Sequence, residues 1–188
     1  MVEYVSTRGG ESVGLGQAVL GGMPLSGGLY VPKQVPIFDW PPPEERVAEW
    51  VAPALFPDVE SDTIQEMAAN ACNFEFPLVQ LHETCFVLEL FHGPTHAFKD
   101  VGARFMANLV GWFAHSLGRA VTILVATSGD TGGAVANAFL GRPDIRVVAL
   151  FPLRGVSEQQ RRQMTTLGGN VQAVAVEGSF DDCQRMVK

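Results

Sequence analysis

The sequence predicts an α/β protein: an N-terminal α+β region followed by βαβ units of a parallel sheet, truncated at the C-terminus inside its last helix. Three observations carry this. From residue 86 onward, short apolar runs alternate with stretches of helical periodicity, as strands joined by crossover helices do. Hydrophobic residues fill 47% of the 188 positions and charged residues only 18%, as expected of strands covered on both faces. Residues 1–86 are instead broken repeatedly by glycine and proline. Two domains follow: an N-terminal α+β domain over 1–86 and an incomplete α/β domain over 87–188.

Taken in order, residues 4–36 read as short strands and turns, with one helical turn at 17–20. Residues 39–44 contain three successive prolines and read as an extended linker. Residues after 44 turn helical, with Leu55, Phe56, Val59, Ile64, Met67 and Ala68 in a period broken at Pro53 and Pro57, and with Trp50 as a packing residue. A strand at 86–91 leads into a helix whose apolar residues Val101, Phe105, Leu109, Trp112 and Phe113 recur every three or four positions to about Leu117-Gly118. Strands follow at 121–126, 145–151 and 171–176, with a loop at 127–133 and helices at 134–140 and 157–167. Ser179 and Asp182 form a capping-box pattern that opens a last helix. A parallel sheet that stops within a helix reads as part of something larger.

The formal net charge of −7 excludes nucleic acid or an anionic membrane held by bulk electrostatics. Cys72, Cys85 and Cys183 are odd in number and lack zinc or C-x-x-C spacing, which fits a reducing, cytoplasmic setting. No apolar run has the length of a membrane span, and the first residues lack the pattern of a signal peptide. The glycines of 9–28 match neither the Walker loop nor the dinucleotide fingerprint.

Two stretches carry candidate chemistry. The first is 88–104, centred on Lys99 at a strand-to-helix junction, where open α/β sheets place their ligands. A lysine in the first helical turn is usually a solvated charge, opposed by the helix dipole. In an apolar crevice, with Ala97, Phe98 and Val101 around it, the neutral amine is favoured and its lone pair is freed to attack a carbonyl. The second is Thr127-Ser-Gly-Asp-Thr-Gly, after a buried strand and before a helix. Its N–H groups with the Ser128 and Thr131 hydroxyls offer an anion site, and a carboxylate suits it better than a phosphate because Asp130 is close by. The plainer alternative is an N-cap by Asp130 or Thr131. His92 and His96 flank Gly93-Pro94, which makes a metal site improbable. Asp100 and Arg104, four apart, read as an intrahelical ion pair.

Gly93-Pro-Thr-His-Ala-Phe-Lys-Asp100, Ala126-Thr-Ser-Gly-Asp-Thr-Gly132, Tyr4-Val-Ser-Thr-Arg-Gly9 and Gly27-Gly-Leu-Tyr-Val-Pro32, in this order and spacing, resemble the threonine synthases among the fold-type II pyridoxal-phosphate enzymes. The resemblance spans essentially the whole chain, with Ser26 a departure where many members carry an acid. It implies pyridoxal 5'-phosphate as cofactor and a Schiff base to Lys99. Phe98 and Asp130 then lie at the cofactor, Asp130 near its phenolic oxygen where relatives often have Asn, and Thr127, Ser128 and Thr131 hold the substrate. The implied reaction is O-phospho-L-homoserine plus water to L-threonine plus phosphate, with Lys99 moving the α-proton. The family's cofactor-phosphate loop and ring-nitrogen partner have no counterpart before Lys188, so this stretch alone is expected to be inactive. A phospholyase or dehydratase of the same fold, and a non-catalytic binding module, are the competing readings. Neither nucleic acid nor membrane is expected as a partner, and the residues do not fix an oligomeric state.

Overall fold

The computed structural model describes residues 2–38 and 46–188, so the proline linker expected at 39–44 lies outside the described residues. It divides into two units, Met1–Cys72 and Asn73–Lys188.

In the first unit, strands β1 (Tyr4–Ser6), β2 (Ser12–Val13) and β3 (Tyr30–Pro32) form an antiparallel sheet in the order β2-β1-β3. Tyr4 lies opposite both Val13 and Pro32. The turns that join these strands need left-handed backbone, and glycine supplies it at Gly9 (φ 79°) and Gly27 (φ 76°). Ser26, the departure from the resembled family, ties those turns together: its hydroxyl donates to Gly9 O at 2.9 Å and lies 3.1 Å from Ser6 Oγ. Helix α1 (Leu15–Gly21) is longer than the single turn expected.

Helix α2 (Val47–Leu55) packs on α3 (Ser61–Ala71). The break expected at Pro53 does not occur. Pro53 lies inside α2 and removes the bond its N–H would have made back to Glu49 O, yet the helix continues past it to Leu55, and Phe56 N still donates to Ala52 O at 2.9 Å. The buried stripe of α3, Ile64, Met67, Ala68 and Ala71, follows the helical period. The Trp50 ring lies 5.2 Å from that of Phe38, tilted by 51°.

The second unit opens on a hairpin of β4 (Leu78–His82) and β5 (Cys85–Leu88), paired antiparallel with a register shift at 80–82. This corrects the strand expected at 86–91. It ends at Leu88 and belongs to a separate two-stranded sheet, not to the parallel one. The period-2 pattern of a strand says nothing about its partner, and Cys85 closes on His82 through a two-residue turn.

The parallel sheet has β6 (Val121–Ala126), β7 (Ile145–Pro152) and β8 (Val171–Val176) in the order β6-β7-β8, with Val121 opposite Ile145 and Val147 opposite Val171. The central strand buries Ile145, Val147, Ala149 and Phe151, and Met164 closes a cluster with the last two. Helix α4 (Asp100–Ser116) precedes the sheet, while α5 (Asp130–Phe139), α6 (Glu158–Thr165) and α7 (Phe180–Val187) each follow one of its strands.

Helix α4 ends as expected. Gly118 is left-handed at φ 59°, its N–H reaches His115 O, and Arg119 N reaches Ala114 O. Its buried apolar residues are Ala103, Ala107, Leu109, Val110 and Ala114; Leu109 is buried as expected, while Val101, Phe105, Trp112 and Phe113 are only half-buried. Small residues let α4 lie close on α5. Helix α5 begins at Asp130, four residues before the start expected, so the loop is only 127–129. The capping box of α7 is formed in full, and hydrogen bonds from Ser179 hold the Asp182 carboxyl below the usual range.

Candidate active site

The lysine loop is built around a buried carboxylate. Asp100, only 1% exposed, turns back from the first residue of α4 and accepts from Thr95 N at 2.9 Å and Thr95 Oγ1 at 2.6 Å. This satisfies two donors of the turn ahead of the helix. Gly93 roofs the carboxylate, since a Cβ there would stand 2.5 Å from Asp100 Oδ2. The ion pair expected between Asp100 and Arg104 is therefore replaced: Arg104 donates to Asn73 Oδ1 at 2.7 Å and lies over the Phe74 ring. His96 takes a left-handed conformation at φ 59°, and the chain arrives at Lys99, the N-cap residue of α4.

The second loop is built around a buried hydroxyl. Thr127, 1% exposed, accepts from Gly132 N at 2.8 Å and Gly129 N at 3.1 Å and donates to Gly129 O at 3.0 Å. It is Thr127, not Asp130 or Thr131, that serves the first turn of α5. Its own N–H continues the parallel ladder to Leu150 O, so the loop is an extension of the sheet. Ser128 is exposed, and Thr131 is half-buried in the first turn.

The two loops meet. Lys99 Nζ stands 3.6 Å from Asp130 Oδ2, with the side chains 31% and 48% exposed, and 4.4 Å from the centroid of the exposed Phe98 ring. The ammonium thus has an opposite charge on one side and a π face on the other, and it is open to solvent. At 3.6 Å the contact is an ion pair longer than a hydrogen bond, so the amine is held near Asp130 without being locked to it. An accessible primary amine, a flat apolar ring and the N-terminal end of α5 together suit an aldehyde that carries acidic groups.

Helix α6 completes the site, a role with little local signature. Gln160 Nε2 donates to Asp130 Oδ1 at 2.6 Å, and Gln163 Nε2 donates to Thr95 O at 3.2 Å. The available signal was modest: two of three glutamines, three apart, in a helix that also carries two Arg and one Glu. His92 pairs with Glu89 at 2.6 Å and His96 Nδ1 faces Phe91 O at 3.2 Å, and no group of three metal-ligating residues occurs among the described residues.

Comparison with known proteins places this geometry. A family model described as pyridoxal-phosphate dependent enzyme matches residues 74–188, and one described as threonine synthase N terminus matches residues 3–66. Threonine synthase of Escherichia coli K12 is 40% identical over 186 residues, covering 95% of this chain and 43% of its own length. That of Haemophilus influenzae is 41% identical over 184 residues, with 95% and 43% covered. Among solved structures, a PLP-bound threonine synthase from Brucella melitensis superposes with TM-score 0.85 at 40% identity, over 100% of this chain and 44% of that one. The E. coli enzyme gives 0.88 at 36%, over 98% and 45%. The chain spans less than half the length of these relatives.

Proposed function

The chain belongs to the pyridoxal-phosphate dependent enzymes, and from that premise we propose that it is the N-terminal part of a threonine synthase, which converts O-phospho-L-homoserine and water to L-threonine and phosphate. The observation that carries the proposal is the meeting of Lys99 Nζ and Asp130 Oδ2 at the start of two helices. In this reading residues 87–188 hold the catalytic segment and residues 1–86 the N-terminal domain.

Pyridoxal phosphate, when bound, supplies a sink for the electron pair left as the substrate's α-proton departs. Lys99 Nζ would anchor the cofactor covalently, and its amine would be the base that takes that proton and returns it. Asp130 keeps the amine aimed while it changes roles. The Phe98 ring gives the cofactor an apolar flank, and its exposed face beside the amine is consistent with that use. Ser128 and Thr131, at the N-terminal end of α5, bind the substrate carboxylate. Thr127 contributes through the backbone it fixes, because its hydroxyl is already engaged.

The setting we propose is the cytoplasm. No disulfide joins the cysteines, and no helix among the described residues is long and apolar enough to cross a membrane. The relatives' remaining length is expected to supply the rest of the cofactor site, so the 188-residue chain by itself should turn over little substrate. The test uses a protein of the relatives' length that carries this sequence. Borohydride treatment with pyridoxal phosphate should leave the label on Lys99, and Lys99→Ala should abolish labelling and activity. Label on another residue would overturn the reading, and release of 2-oxobutyrate in place of threonine would move it to a dehydratase.

A further inference from the structure

We infer that Gln160 and Gln163 are positioning residues, a two-pronged clamp on α6 that sets the separation of Lys99 and Asp130. Its catalytic meaning rests on the reading of Lys99 above, but its geometry does not. Three residues apart on a helix, the two side chains share one face. One prong grips each loop: Gln160 holds Asp130 on the motif loop, and Gln163 holds Thr95, which in turn is bound to Asp100 beside Lys99. The two loops come from different strands and helices, and the clamp connects them through one rigid turn of α6.

The clamp's orientation is determined. Ser157, the N-cap of α6, accepts from Gln160 N and donates its own hydroxyl proton to Gln160 Oε1 at 3.1 Å. With its oxygen taken, the amide presents Nε2 to Asp130 Oδ1, which leaves Oδ2 for Lys99. The glycines of the motif make room for this arrangement. A Cβ at Gly129 would stand 2.6 Å from Gln160 Nε2, and one at Gly133 would stand 3.1 Å from Gln163 Oε1. A glycine-rich loop that looks made for a phosphate is thus shaped, at these two positions, for the approach of α6.

The test needs no cofactor. Lys33, Lys99 and Lys188 are the lysines of the chain, so competitive labelling with a limiting amine reagent, read by peptide mass spectrometry, reports Lys99 against two internal references. Gln160→Met and Gln163→Met keep length and helix propensity while removing the donor. Each should raise labelling of Lys99 relative to Lys188 by roughly threefold or more as the amine is released from Asp130. Because either prong alone leaves the separation unset, the double variant should match the larger single effect and not their product. Thr165→Ala, on the same helix, where the hydroxyl donates to Arg161 O, should leave the ratio unchanged. Unchanged Lys99 labelling in both Met variants, multiplicative effects, or an equal rise at Lys33 from general loosening would each overturn the clamp. A full-length protein that traps no cofactor on Lys99 would refute the proposed function and leave the clamp standing.

Discussion

The two loops that meet at Lys99 and Asp130 solve one problem with different chemistry. Each carries the chain into the first turn of a helix and must find acceptors for exposed N–H groups. At 93–99 the acceptor is an ionisable carboxylate reaching back from the helix, and at 127–129 it is a neutral hydroxyl reaching forward from the strand. Burying the carboxylate is costly unless its oxygens are bonded, and both are taken by Thr95 beneath Gly93. The hydroxyl is cheaper to bury and both donates and accepts, but it fixes the loop only with the help of close helix packing. The wall that bears the amine is therefore held by hydrogen bonds to a carboxylate, and the facing wall by neutral hydrogen bonds to a hydroxyl together with close packing.

That contrast can be broken at four places. Asp100→Ala should have the largest effect, costing about 3 kcal/mol in urea unfolding, because it strands both Thr95 donors in a buried site. Gly132→Ala comes next at about 2.5 kcal/mol, since the new Cβ would meet Met164 Sδ and Thr127 Cγ2 at 2.4 Å, a steric fault with no polar component. Thr127→Val keeps the volume and removes the hydroxyl, and should cost about 2 kcal/mol. Ser128→Ala, exposed, should change stability by less than about 0.5 kcal/mol. In the full-length enzyme it should raise KM for the substrate, which steady-state kinetics would show. If Thr127→Val proved as mild as Ser128→Ala, the claim that a hydroxyl holds the second wall would fail.

The sheet from β6 onward, the end of α4 and the cap of α7 were legible because each rests on local signals: period, a left-handed glycine, a serine three residues before an acid. The partner of β5 was not legible, since strand periodicity is blind to whether pairing is parallel. The early start of α5 was hidden because Gly132 and Gly133 look like loop residues, and it is the nearness of α6, with Thr127 at Gly132, that calls for glycine there. The pairing expected between Asp100 and Arg104 followed a rule for exposed helix faces, and Asp100 is buried. Of the candidate site, the place of Lys99 at the start of a helix and of the 127–132 motif between a strand and a helix could be read directly, but no strand of the parallel sheet leads into Lys99, since β5 ends at Leu88. The glutamines of α6 could not, because they act across a contact that no spacing along the chain encodes.

The order β6-β7-β8 has a consequence for how the molecule comes into being. Spatial order equals sequence order, so each new strand is added at the free edge left by the one before. No strand has to wait for a later one to be inserted between it and its neighbour. As the chain leaves the ribosome, Ile145–Pro152 can pair with a finished Val121–Ala126, and Val171–Val176 can then pair with that pair. The second unit is suited to folding vectorially, with the motif loop and α5 in place before α6 arrives to grip them.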